Sequence, residues 1–371
     1  MRKIRFFHLA IDQKEYREKL KKIFEKFLIK GNFFLGPEVS TLESRIAKFN
    51  DSKYAIGVSS GSSALYLCLK AAGIKSGDEV ITTPLSWIVT ANAIVECGAK
   101  PVFVDVNYDM NINPNLIQEK ITKRTKAILP MHYAGLMCDM NKICKIADDN
   151  KLKVIEDSAQ AFGASINNIK SGNFSYSAAF SMNPMKPLSG LGENGFIVTN
   201  SSKVYNSILE LRYAGVKFDK KKIKTNNCFV SSLNHKIDNL NATFLIESLN
   251  RFKKKKFLLE KIAKLYDSFL PFHVKRQEVP ENYVHGRYVY PVLVRKRDKL
   301  KIYLEDHGIE TKIFNYPLIP KAPAYKAYAR QHFKVAEEIV QKNLVLPAHE
   351  KLSEDDIFYT VDKIKKFYSK N

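Results

Sequence analysis

Between residues 54 and about 200 the chain alternates short apolar, β-branched runs with helical patterns, and this alternation limits the fold more than any other feature. Residues 54–58, 79–83, 101–105, 126–132 and 153–156 read as strands. Residues 64–72, 89–96 and 140–149 read as the helices between them. The apolar runs are continuous rather than alternating, so both faces of each strand must be covered. That is the condition of a mostly parallel central sheet flanked by helices, and the expected class is α/β. After about residue 245 the texture changes. A Lys-rich helix is expected over 250–268, a strand over 288–294 and a helix over 298–307. Ser353-Glu354-Asp355-Asp356 has the form of a capping box, ahead of Ile357, Val361 and Ile364 on one helical face. A length of 371 residues allows two units: a large domain over 1–248 and a smaller C-terminal α+β domain over 249–371.

No apolar run approaches the roughly 18 residues that span a bilayer. The start, Met1 to His8, lacks an apolar core and a small-residue cleavage site, so a cytoplasmic protein with no membrane partner is expected. Cys68, Cys97, Cys138, Cys144 and Cys228 are odd in number and form no CxxC pair, which points to reduced thiols and no metal site. Sixty basic against 38 acidic residues raise the question of nucleic acid. The longest basic run, Lys253 to Lys256, lies between Phe252 and Phe257 and reads as the wet face of a helix. No recognition helix, RNA-binding aromatic signature or arginine-rich arm accompanies it, so no nucleic-acid partner is expected. A positive field also suits an anionic substrate.

Four loops carry the candidate chemistry. Ser60-Gly61-Ser62-Ser63-Ala64 joins a strand to a helix, where small residues and free N–H groups suit a phosphate; simple N-capping by Ser62 or Ser63 is the plainer reading. Glu156 and Asp157 end a buried strand, where open α/β sheets place ligands. A carboxylate there can pair with a protonated pyridine nitrogen, or only cap the next helix, and Gln160 lies one turn further on. Trp87, the one tryptophan, follows another strand and could stack on a flat cofactor or simply pack. Lys186 stands in a Gly- and Ser-rich loop that needs no lysine to fold. A lysine, an aspartate and an anion cup are what pyridoxal phosphate requires of a protein.

Joined in order with Ser181 and Lys186, these pieces resemble the DegT/DnrJ/StrS family of sugar aminotransferases. The resemblance runs from Gly36-Pro37-Glu38-Val39 through Gly77-Asp78-Glu79, Gly98-Ala99-Lys100-Pro101 and Arg124-Thr125-Lys126 to Gly308-Ile309-Glu310-Thr311, nearly the whole chain. It implies a fold-type I pyridoxal-phosphate transferase that works as a homodimer with its sites at the interface. Lys186 would form the Schiff base and carry the proton. Asp157 would pair with the pyridine nitrogen, Gln160 would lie near the ring hydroxyl, and Trp87 would stack on the ring. Ser62, Ser181 and the Ser63 backbone would hold the phosphate, with Asn234 reaching it from the partner subunit. Three positions depart from the family: Lys236 where arginine is common, Asn315 before Tyr316-Pro317 where histidine is frequent, and Lys321 near a second histidine position.

The same resemblance implies transfer of an amino group, with L-glutamate as donor, to a nucleotide-linked 4-keto or 3-keto 6-deoxy sugar for bacterial surface glycans. His132-Tyr133-Ala134-Gly135 is similar to relatives that aminate C4, whereas the Lys186-to-Glu193 spacing is similar to the C3 group. Two other readings remain: a sugar dehydratase on the same scaffold, which typically has histidine in place of the lysine, and a non-catalytic regulatory protein.

Overall fold

A computed structural model describes residues 2–34, 36–216, 227–327 and 332–369. Seven strands form the central sheet, in the spatial order Tyr54–Val58, Gly195–Thr199, Ser177–Ser181, Lys153–Asp157, Thr125–Leu129, Glu79–Thr82 and Lys100–Phe103. Every neighbouring pair is parallel except the two made by Gly195–Thr199, which runs against both its neighbours. The mostly parallel sheet read from the sequence is therefore present. Both faces are covered, as the unbroken apolar runs require. On one side Leu65, Leu67 and Cys68 of the helix Gly61–Ala71 pack against Ile56, Val80, Ile155 and Ile197. On the other, Phe162, Phe180 and Phe196 form an aromatic cluster with Phe252.

The helix expected over 250–268 is longer, Asn239–Phe269, and begins with Asp238 accepting the Asn241 N–H at 2.7 Å. Its first half buries Ala242, Leu245 and Phe252 in the aromatic cluster. Its second half buries Ile262, Ala263 and Tyr266 in a separate C-terminal core. That core surrounds a three-stranded sheet of Lys275–Arg276, Tyr290–Leu293 and Asn343–Leu346. Ile4, from the start of the chain, joins it through backbone bonds to Gly308 and Glu310. The capping box is realised: Ser353 Oγ accepts the Asp356 N–H at 3.2 Å, and Asp356 Oδ2 accepts the Ser353 N–H at 3.0 Å. Ile357, Val361 and Ile364 then face inward. Burying each contributes about 1.5–3 kcal/mol.

The run Lys253–Lys256 is not a uniformly wet face. Lys253 and Lys254 are exposed, but Lys255 and Lys256 turn inward, and Lys256 Nζ donates to the Gly163 carbonyl. Four consecutive helical residues cover a full turn, so one or two must meet the sheet side. No described helix is long and apolar enough to cross a membrane.

Candidate active site

Successive strand residues face opposite sides, and this separates the two carboxylates at the end of Lys153–Asp157. Glu156 turns into the protein. It accepts from His132 Nε2 at 2.9 Å, the Gly172 N–H at 2.8 Å and Ser175 Oγ at 2.7 Å. His132 Nδ1 accepts the Cys138 N–H at 3.2 Å, so the imidazole is neutral with its proton on Nε2. Glu156 is a brace.

Asp157 faces the site and is 3 % exposed. Thr90 Oγ1 donates to its Oδ2 at 2.7 Å, Ser86 Oγ shares a hydrogen bond with Thr90 at 2.6 Å, and the Ala159 N–H reaches Oδ1 at 3.2 Å. Burial pushes the Asp157 pKa up, while the Thr90 hydroxyl and the charge of Lys186 act against that rise. Thr90 was not singled out from sequence, although it lies one helical turn beyond Trp87. The loop does bring Trp87 to this end of the sheet, where its ring is 67 % exposed.

The helix start differs from expectation in one respect: Ser60 is the N-cap, not Ser62 or Ser63. Its Oγ accepts the Ser63 N–H at 3.0 Å, because Ser60 is the last residue with extended backbone. The Gly61 and Ser62 N–H groups are thereby left as first-turn donors. A Cβ on Gly61 would lie 2.7 Å from Ser181 Cβ, so glycine lets the helix start meet the end of the strand Ser177–Ser181. Ser62 is exposed there and Ser181 is buried. Ser63 Oγ is 3.0 Å from His235 Nδ1, and among the described residues His235 Nε2 is buried without a hydrogen-bond partner. An unfilled donor or acceptor, a glycine-lined cradle and a helix N-terminus suit a phosphate. Asn234, next to His235, is exposed, and its Oδ1 accepts the Lys236 N–H at 3.2 Å. Lys236 Nζ sits 3.8 Å over the Tyr213 ring.

Lys186 occupies a turn closed by its own N–H to the Asn183 carbonyl, at 2.9 Å. Its Nζ lies 4.2 Å from the centre of the buried Tyr288 ring, a contact that no local sequence signal could give. Burial holds the Lys186 pKa down at about 8, against the pull of Asp157 and Glu193. An amine so placed is a usable nucleophile and base near neutral pH. Gln160 is tied by its Oε1, which accepts the Ala134 N–H at 2.8 Å, leaving Nε2 as its donor. The stretch His132 to Gly135 is buried throughout. Gly135, at φ +101°, is needed because a Cβ would come within 2.9 Å of the Arg287 nitrogen and the Gln160 carbonyl.

The structure thus gathers Asp157, Lys186, Ser62, Ser63, Ser181, Gln160 and Trp87 at the carboxyl end of one sheet. Residues 14–365 match the DegT/DnrJ/EryC1/StrS aminotransferase family. The chain belongs to that family. Aminotransferases of the DegT/DnrJ/EryC1/StrS family use pyridoxal phosphate, so that is this chain's cofactor and amino transfer its reaction. The chain is 34 % identical to a pleiotropic regulatory protein of Geobacillus stearothermophilus, with 96 % of this chain and 98 % of the relative aligned. It is 32 % identical to the UDP-2-acetamido-2-deoxy-3-oxo-D-glucuronate aminotransferase of Pseudomonas aeruginosa, over 93 % of this chain and 95 % of that one. It is 33 % identical to the dTDP-3-amino-3,6-dideoxy-alpha-D-galactopyranose transaminase of Aneurinibacillus thermoaerophilus, over 98 % and 99 %. The crystal structure of S. venezuelae DesV superposes with a TM-score of 0.93 at 28 % identity, covering 99 % of both chains. The fold-type I architecture is thereby established for this chain.

Proposed function

We propose that this chain transfers the amino group of L-glutamate to a nucleotide-linked keto sugar, with Lys186 as the catalytic amine, in the making of bacterial surface glycans. One observation carries the reading: Lys186, its Nζ 4.2 Å from the centre of the buried Tyr288 ring, shares the carboxyl end of the sheet with the buried Asp157 carboxylate and the serine cup. The relatives' names support the substrate class.

Bound pyridoxal phosphate supplies an electrophilic carbon and an electron sink for a carbanion on the donor. Asp157, oriented by Thr90 and the Ala159 N–H, would keep a proton on the ring nitrogen. Lys186 Nζ takes the proton from the donor's α-carbon, and in the second half returns one to the sugar carbon that receives the amine. Ser62, Ser181 and the first-turn N–H groups of Gly61 and Ser62 would bind the phosphate, the Ser63 N–H being taken by Ser60 Oγ. Trp87 would cover the ring, Gln160 Nε2 would donate to the ring hydroxyl, and Asn234 from a partner subunit would complete the phosphate seat. The apolar row Phe24, Leu28 and Ile29, exposed with Trp87, supports a homodimer.

We favour C3 as the keto position. Three relatives are named for 3-oxo, 3-amino or 3-dehydro sugars. The His132-to-Gly135 stretch, whose form suggested C4, is buried throughout and braces the sheet from within, His132 bonding Glu156. The test is a coupled assay offering glutamate with dTDP-, UDP- and GDP-linked 3-keto and 4-keto sugars, with NMR of the product. Amination at C3 is expected; amination at C4 contradicts the position, and no amination of any sugar overturns the reading.

A further inference from the structure

A groove of about 880 Å³ opens beside Lys186. None of Asp157, Ser62, Ser181 or Trp87 lines it, so it is distinct from the cofactor's phosphate cup. Its walls come from the start of the chain, the Lys186 loop, the helix Asn239–Phe269 and residues 348–351. Six lysine and arginine side chains line it against two carboxylates, and a cleft with such an excess focuses its field on an incoming anion. Tyr16, Leu191, Leu258 and Tyr288 give it apolar and aromatic surface for flat or ring-shaped groups.

Several of the cations are already engaged. Arg287 forks onto Glu260 at 2.8 and 3.1 Å, Lys351 meets Asp12 at 2.9 Å, and Arg251 lies 3.9 Å over the Tyr16 ring while bonding Gln13. Lys255 differs. Its side chain is 21 % exposed, yet among the described residues its Nζ has only the Lys186 carbonyl and Ser189 Oγ, both at 3.4 Å, and Glu350 at 3.8 Å. A well-engaged ammonium makes contacts of about 2.7–2.9 Å and has three protons to place. Burial pulls its pKa down, and Glu350 opposes that pull from a distance. A half-buried cation held at such long range is short of acceptors, and it lines the groove beside Lys186.

We propose that Lys255 seats the diphosphate of the nucleotide-linked acceptor, fixing it in the groove with the sugar directed to Lys186. The assignment rests on the sugar-nucleotide reading above. A Lys255 that merely tied down the Lys186 loop would act on both halves of the reaction, whereas a diphosphate seat acts only on the acceptor.

The test uses the pyridoxal-phosphate-loaded enzyme. Binding of UDP, dTDP and GDP is measured calorimetrically for wild type, Lys255→Met and Lys255→Arg, and the half-reaction with glutamate alone is followed spectrally. At least one nucleoside diphosphate should bind wild type, about ten- to hundredfold more weakly to Lys255→Met, the range of a charged hydrogen bond. Lys255→Arg should keep most of the affinity, and the glutamate half-reaction should stay within about twofold in all three. Lys255→Gln replaces the methionine variant if that one does not fold. The proposal is overturned if wild type binds no nucleoside diphosphate, if the neutral variant binds as wild type does, or if the glutamate half-reaction falls in step with binding. An enzyme with Lys255-dependent nucleotide binding that aminates no keto sugar would instead overturn the transfer reaction and leave the seat standing.

Discussion

At the scale of single residues the chemistry depends on two groups whose charge states are set by burial. Lys186, held at about pKa 8, is neutral above that pH, so the apoprotein should load pyridoxal phosphate faster as pH rises through 8 and then level off. Stopped-flow loading between pH 6 and 10 checks this; a rate still climbing at pH 10 would mean an ordinary lysine. Replacing Lys186 with alanine should cut turnover by about 10²–10⁴, the range of a positioned acid–base group. Thr90→Val removes the hydroxyl that donates to Asp157 Oδ2, so the carboxyl pKa should rise further. Turnover should fall about ten- to hundredfold, as for a hydrogen bond to a charge, with the pH profile shifted upward on its acid side. Asp157 was legible in sequence because it ends a recognisable apolar run, and Lys186 because it stands in a Gly- and Ser-rich loop that needs no lysine to fold. Thr90 and Tyr288 were not, since a hydroxyl on a buried helix and a ring 102 positions away carry no local signal of what they will touch.

At the scale of elements, periodicity located five of the seven strands of the central sheet, because apolar runs covered on both faces leave a plain mark, and it passed over Ser177–Ser181 and Gly195–Thr199. It failed where burial is asymmetric. Charge counting placed all of Lys253–Lys256 in water, whereas the helix turns Lys255 and Lys256 inward. The N-cap was misplaced by two or three residues, since each of Ser60, Ser62 and Ser63 has a capping side chain. We propose that the two units divide near residue 248, within the helix Asn239–Phe269, where its buried side chains pass from one core to the other. Two substitutions test local claims. Ser353→Ala should cost about 1 kcal/mol through the lost cap. Gly135→Ala should cost about 1–3 kcal/mol, because a left-handed residue there would press on backbone atoms. Both are read by denaturant unfolding, and a Gly135→Ala protein as stable as wild type would contradict the close approach.

At the scale of the whole molecule, the single chain presents Trp87, Asn234 and the Phe24–Leu28–Ile29 row at its surface, which a symmetric partner would cover. If Asn234 serves the neighbouring subunit, mixing inactive Lys186→Ala and Asn234→Ala proteins should restore about a quarter of wild-type activity. Random exchange makes half the dimers mixed, each with one intact site. No recovery after subunit exchange would show that Asn234 acts within its own chain. Groove and cup matter only if one amine performs the chemistry. The most direct measurement is therefore borohydride reduction of the pyridoxal-phosphate-loaded enzyme, followed by peptide mapping for the covalently fixed cofactor. The label should fall on Lys186 and nowhere else among the lysines. A label on another lysine, or none on a protein shown to hold the cofactor, would contradict the assignment of Lys186.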